Sequence, residues 1–376
     1  MRELRARRAT APAVLSTLSA ATLVLVGLAA PAHASGPARE PVEVIAEGLD
    51  DPWGLTYAKG RFYVAENGSG EVSGIIPGGN GPSVRLAGFN SLSSVDRSGA
   101  QLLVLTGGGG PPEDGGGPPP EGLTTLYSSQ RGGPFRALAN FEEYELAENP
   151  DGQLQFGEDG VPVDTLSNPF SVLAGEGGDQ AFAYVADGGG NSVLAVEEDG
   201  TVSTLYAPPL ITSGICAEIE NNEPDLLGCD PVPTGLAHGP DGALYVALEA
   251  AGAPGEGLVV VLDAVSGEVR DTIGGFSGPT GVAVADDGTV YVAELLEGAP
   301  EGEEVPPDFD LGTVGQVVRV APDGSRSTAQ VAQPLSLRWA DGALYATAWS
   351  VMGLFTGQTG LGQLVRVDSS AFTAVE

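Results

Sequence analysis

The sequence predicts an all-β chain, a six-bladed β-propeller with four-stranded antiparallel blades, closed by its own N-terminal strand. Three observations predict it. One phrase returns six times along the chain. Each copy alternates apolar and polar residues at a period of two and is cut by Gly, Asp and Pro turns, which is strand rather than helix patterning. The exported part also opens with a strand that has no hairpin partner beside it, and only a closed ring gives that strand a place.

The phrase is proline, a small or polar residue, an apolar alternation, a tight turn, then aromatic-Val-Ala-acid. It stands as Asp51-Pro52-Trp53-Gly54-Leu55 with Phe62-Tyr63-Val64-Ala65-Glu66, and as Asn168-Pro169-Phe170-Ser171-Val172 with Tyr184-Val185-Ala186-Asp187. Further copies are Val232-Pro233-Thr234-Gly235-Leu236 with Leu244-Tyr245-Val246-Ala247, and Gly278-Pro279-Thr280-Gly281-Val282 with Val290-Tyr291-Val292-Ala293-Glu294. Weaker copies occupy residues 91–105 and 334–348. The fourth unit reads as strands over residues 202–206, 233–237, 243–248 and 258–262, and no part of the mature chain carries a sustained helical period. The last unit supplies three strands, ending at residues 363–367, so the orphan strand at 42–46 is expected to complete it at the outer edge. Residues 35–376 then form one propeller domain.

Residues 1–34 read as a secretory signal peptide. Arg2, Arg5, Arg7 and Arg8 make a basic start, residues 11–30 are apolar, and Ala32-His33-Ala34 offers a small-x-small cleavage site. The expectation is a secreted protein, extracellular or cell-wall associated, with no membrane insertion once the signal is removed. The whole chain carries 16 basic and 50 acidic residues; residues 1–34 hold four of the former and one of the latter. The mature part therefore has 12 and 49, a formal charge of −37. Such a field repels nucleic acid and anionic membrane surfaces, both of which are bound through Lys and Arg. Cys216 and Cys229 are the only cysteines, and an exported even pair is expected to form a disulfide.

The phrase Pro-x-Gly-Val-Ala, then Asp-Gly-x-x-Tyr-Val-Ala-Asp, then Gly-x-Asn resembles the NHL repeat, most clearly over residues 168–196, 232–248 and 278–294. Over nearly its full length the mature chain is similar to the ScyD/ScyE family of secreted bacterial proteins. The carrying residues are Glu148-Asn149-Pro150-Asp151-Gly152, Ser167-Asn168-Pro169, Val185-Ala186-Asp187-Gly188-Gly189-Gly190-Asn191 and Val232-Pro233-Thr234-Gly235. The resemblance implies a secreted propeller and brings no established activity.

In this topology the connections from first to second and from third to fourth strand are tight, as at Pro240-Asp241-Gly242 and Asp286-Asp287-Gly288. The other two classes are long and share one rim. It gathers a Gly/Pro tract (107–122), an acidic segment (141–166), the cysteine loop (208–230) and residues 252–257, 295–312 and 350–360. Long loops on a rigid scaffold are where binding resides. The first expectation is accordingly a non-enzymatic binding or scaffold propeller, a monomer, engaging a small molecule, a cell-wall glycan or an extracellular protein at this rim.

The alternative is a divalent-metal-dependent hydrolase or lyase of the propeller lactonase type. Glu66, Asp187 and Glu294 end equivalent strands at the long-loop rim, Glu249 stands one residue later, and Asn191 lies close by. Hard oxygens converging near a channel mouth are what Ca²⁺ requires, so these five are the candidate metal ligands. Propeller lactonases resembling regucalcin hold a divalent ion in such a mouth, though their ligand motif does not match here position by position. The structural alternative has these acids bonding loop amides. No cofactor other than Ca²⁺ is indicated and no catalytic residue is assigned: His238, the one imidazole of the mature chain, falls on the opposite rim. Residues 49–55 resemble the start of quinoprotein sugar dehydrogenases, but Ala65-Glu66-Asn67-Gly68 lacks their arginine. The histidine of streptogramin-type lyases has no counterpart. No Gly-x-Ser-x-Gly elbow, phosphate loop or zinc spacing occurs.

Overall fold

The computed structural model describes residues 41–108, 121–129, 133–157, 160–162, 165–178, 180–300, 306 and 308–375. Residues 1–34, read above as a signal peptide, and most of the Gly/Pro tract lie outside the described residues.

Six antiparallel sheets form, one per blade. Blade 1 runs outward through Pro52–Ala58, Arg61–Glu66, Glu71–Ile75 and Ser83–Leu86. Blade 2 comprises Leu92–Ser98, Gln101–Thr106, Thr125–Ser129 and Phe135–Asn140. Blade 3 follows with Pro169–Ala174, Ala183–Asp187, Ser192–Val196 and Val202–Tyr206. In blade 4 the strands are Pro233–His238, Leu244–Leu248, Gly257–Leu262 and Val269–Phe276. Blade 5 has Pro279–Val284, Val290–Glu294, Gln316–Val320 and Arg326–Gln330, with the C-terminal Thr373–Ala374 added at its edge. Blade 6 has Leu337–Ala340, Ala343–Ala348 and Gly362–Val367.

The fourth strand of blade 6 is Val42–Leu49, antiparallel to Gly362–Val367 with Val42 opposite Val367 and Leu49 opposite Gly362. The expected closure is thus observed. Two details differ from the sequence reading. Val202–Tyr206 is the outer strand of blade 3 rather than the opening of the fourth unit, whose own outer strand is Val269–Phe276. Strand patterning alone does not say whether an edge segment belongs to the unit before or after it. Two short helices also sit in the long connections, α1 (Phe141–Glu148) and α2 (Met352–Thr356). The first has no amphipathic stripe to betray it; a local cap forms it, with Asn140 Oδ1 accepting from Glu143 N at 2.9 Å.

The core is six wedges, each between neighbouring blades. In Ala183–Asp187, Tyr184 packs toward blade 4 with Leu244, Val246 and Leu262, and Val185 packs toward blade 2 with Leu103, Leu105 and Leu126. Both faces of the strand are covered, so every residue of it is buried. This explains why Tyr-Val-Ala recurs as a nearly unbroken apolar run. The wedge between blades 6 and 1 depends on Ala46 and Leu49 from the closing strand, packed on Leu55, Phe62 and Leu364.

Deleting residues 41–49 is expected to abolish the single cooperative unfolding transition, and Leu49→Ala to cost about 3 kcal/mol, measured by denaturant titration. An unchanged midpoint in the truncated chain would mean that this strand does not close the ring.

Candidate functional site

All connections from second to third strands and between blades emerge on one face, as the alternating strand directions require. Glu66, Asp187 and Glu294 end their second strands there, and each is paired in register with the proline that opens the inner strand of its blade: Pro52, Pro169 and Pro279. Proline has no N–H, and the residues just before it have left the preceding sheet, so their amides need an acceptor. The carboxylates supply it. Glu66 Oε2 accepts from Asp50 N at 2.7 Å, and Glu294 Oε1 accepts from Ser277 N at 2.8 Å. Asp187 Oδ1 accepts from the amides of Asn168, Gly189 and Gly190 at 2.7, 3.1 and 3.1 Å, while Oδ2 takes the Ser167 hydroxyl at 2.6 Å. Gln316 Nε2 occupies the other Glu294 oxygen at 2.6 Å. Burial pushes all three carboxyls above their usual range against the pull of these donors.

Glu249 is different. Blade 4 pairs Leu248, not an acid, with Pro233, so Glu249 falls one residue beyond the stitching position. Its side chain is 6% exposed, and among the described residues neither carboxylate oxygen has a hydrogen-bond donor. One oxygen lies 3.8 Å from where a side chain on Gly278 would begin. Burial alone pushes its carboxyl up to about 7.

Asn191, held at φ 43°, spans from blade 3 to the next connection. Its Oδ1 accepts from Val232 N at 3.2 Å, and its Nδ2 donates to Asp151 Oδ2 at 3.1 Å. Around it gather three acids that the sequence reading did not single out. Glu145 of α1 is buried with Gln155 Nε2 on Oε1 at 3.1 Å, and burial followed by repulsion from Asp151 and Asp187 pushes it up to about 7. A Cβ at position 190 would stand 2.9 Å from Glu145 Oε2. Asp230 accepts from Gln153 Nε2 at 2.9 Å and Asn221 Nδ2 at 3.0 Å. A signal for these residues existed only as the general acidity of residues 141–166 and 208–230, which does not say which acids turn inward.

The five predicted ligands stand on blades 1, 3, 4 and 5, and Asp187 and Asn191 belong to the same blade with separate hydrogen-bond partners. Calcium asks for six to eight oxygens around one point, and among the described residues no group of three or more His, Cys, Asp or Glu side chains is placed to hold a metal ion. The carboxylate ring therefore does not fit a preformed cage, since three of its members are spent on amides.

The axial channel is packed. At the long-loop mouth Trp53 stacks on Phe170 at 5.9 Å, backed by Leu295, Leu335 and Val351. Further in, Asp96 accepts from Thr56 Oγ1 at 2.5 Å and from Ala174 N at 2.8 Å. A cavity of about 30 Å³ remains, room for about two waters. His238 stands at the other face, its Nε2 2.9 Å from Ala174 O and its ring edge-on to Tyr184. The expected disulfide is present between Cys216 and Cys229, whose Cα atoms are 5.2 Å apart.

No family model and no curated protein matches the chain. Solved structures do. Regucalcin from Agrobacterium tumefaciens, described as a calcium-binding protein, is 14% identical with a TM-score of 0.51, covering 87% of this chain and 94% of its own. A gluconolactonase from Xanthomonas campestris is 14% identical, covering 87% and 89%, with a TM-score of 0.49. Virginiamycin B lyase from Staphylococcus aureus is 13% identical, covering 89% and 87%, with a TM-score of 0.47. At such identities the likeness shows the shared propeller architecture. The expectation of a non-enzymatic binding or scaffold propeller is corrected to this extent: the regucalcin neighbour is described as a calcium-binding protein, and the non-enzymatic reading is not carried further.

A carboxyl whose folded pKa is raised stabilises the fold most below its unfolded pKa and loses that contribution as pH climbs through the folded value. For Glu249 the window runs from about 4.5 to about 7. Glu249→Gln is therefore expected to match the parent near pH 5 and to exceed it at pH 8 by on the order of 3 kcal/mol, read from denaturant midpoints. Asp187→Asn, which keeps one oxygen for the three amides but sets an NH2 donor against the Ser167 hydroxyl, should be less stable than the parent at pH 8.

Proposed function

We propose that the chain is a hydrolase or lyase of the propeller lactonase type, working at the long-loop face with Glu249 as its acid–base group. The observation that carries this reading is the Glu249 carboxyl, nine-tenths buried without a donor while its three counterparts are each bonded to connection amides. A buried group with no structural bond and a titration near neutrality suits proton transfer to and from a substrate. Calcium dependence belongs to the proposal, supported by the description of the regucalcin neighbour and by an acidic face that concentrates cations. No step is assigned to the ion, because the described carboxylates form no cage for it. Should an ion bind, Glu249 is the member of the predicted set with both oxygens free to meet it. Secretion is proposed with it, supported by the signal-like residues 1–34 and by a disulfide of the kind oxidising compartments sustain. The ScyD/ScyE resemblance points to the same compartment.

The test assays the disulfide-intact protein against a panel of aldonolactones with calcium added and with chelator. Lactone opening is expected, slower by about 10²–10⁴-fold in Glu249→Gln and rising through pH 7 in the parent. Glu66→Gln should lower stability while leaving the rate per folded molecule near that of the parent. No turnover across the panel, or a full rate in Glu249→Gln, sinks the reading. A calorimetric titration without heat and a melting temperature indifferent to chelator would remove the calcium part alone.

A further inference from the structure

Two of the long connections merge into one raised lobe between blades 3 and 4. Residues 149–157 reach the disulfide loop through Gln153 Nε2 on Asp230 Oδ1 at 2.9 Å and through Leu154 N on Glu223 Oε2 at 3.3 Å. The loop is fixed at its base by the Cys216–Cys229 bond, by the paired backbones of Ile211 and Cys229, and by Glu256, which accepts from Ser213 Oγ at 2.9 Å and Ile215 N at 3.1 Å. Its underside is an apolar cluster of Ile211, Cys216, Ala250 and Ala253. The lobe is therefore a built element and not a slack insertion.

Its outer surface combines two features. Leu226 and Leu227 are 41% and 52% exposed, and Leu154, whose amide bonds Glu223 of the same loop, is exposed too. Leu226 and Leu227 are adjacent in sequence and Leu154 is tied to the same loop by the Glu223 bond, so these apolar groups share one patch. Around them stand Glu218, Glu220 and Asp225, all exposed, with no cation to offset them: between Arg136 and Arg270 the sequence holds neither Lys nor Arg. Solvent-facing leucines are a cost to a soluble chain unless something covers them. An apolar patch ringed by uncompensated carboxylates repels an anionic membrane and fits a partner carrying apolar side chains interleaved with positive charge.

We infer that this lobe docks a basic amphipathic polypeptide segment, its apolar side chains seated on Leu226, Leu227 and Leu154 and its Lys or Arg heads on Glu218, Glu220 and Asp225. The site is assigned independently of the enzymatic reading, since it uses none of the residues placed around Glu249.

The experiment titrates the full mature chain, disulfide intact, with a short alternating leucine–lysine peptide and with polylysine of equal charge. The leucine–lysine peptide is expected to bind, weakening steeply from low to high salt as the charges are screened. Leu226→Ser/Leu227→Ser, whose exposed positions leave the melting temperature unchanged, should weaken it by about tenfold, and Glu218→Gln/Glu220→Gln should flatten the salt dependence. Absence of binding overturns the inference. So does polylysine binding as tightly as the amphipathic peptide, or a leucine-to-serine variant that binds like the parent. Lactone turnover is not read in this experiment, so its outcome and that of the enzymatic test are separable.

Discussion

The structure depends on one constraint: a ring of blades has no free edge between its members, so its two chain ends must meet inside one blade. Val42–Leu49 meets that constraint by pairing with Gly362–Val367, which brings residues three hundred positions apart into one sheet. Without the pairing, Phe62 and Leu364 would lose the cover of Ala46 and Leu49, and blade 6 would end on an unpaired edge. Each wedge needs both of its blades, so the opening of one interface loosens the next. Everything on the long-loop face inherits its position from this closure.

A second, local rule repeats within the frame. Wherever a proline begins an inner strand opposite the acid that ends the second, the acid bonds the amide that proline leaves stranded. Glu66, Asp187 and Glu294 follow the rule, and the same burial that protects these bonds raises the carboxyls. Glu249 breaks it by a single residue. That one-residue offset is the whole difference between a carboxyl bound to its own backbone and one with both oxygens unbonded. It is this offset on which the proposed role of Glu249 rests. Trp53 stacks on Phe170 at the long-loop mouth of the channel, while His238 faces the other rim.

Acidity acts differently on the two readings of that face. Summed over the chain, 50 acidic against 16 basic residues set a field that gathers cations. At the disulfide-loop lobe it is local and combined with exposed leucines, on a stretch between Arg136 and Arg270 that holds neither Lys nor Arg, and the proposed docking rests on that combination.

The propeller, its six units, its closing strand, its smooth and elaborated faces and its disulfide were legible in the residues, because each rests on pattern and turn chemistry that are local in sequence. Pro52, Pro169 and Pro279 with Glu66, Asp187 and Glu294 could be seen to recur, and a ring of equivalent acids followed from that recurrence. Whether those acids turned toward one another or toward their own backbones was not legible. Side-chain direction depends on which amides the connections leave unpaired, and that is decided only when the blades pack. Tertiary structure likewise decided that Val202–Tyr206 belongs to blade 3, that Glu145 turns inward beside the buried Phe141 of the same helix, and that Leu154 is tied to the disulfide loop. The sequence by itself determined the architecture, since alternation and turns act over a few residues. The fate of each carboxylate belonged to tertiary packing, because burial and hydrogen-bond donors come from segments far apart in the chain.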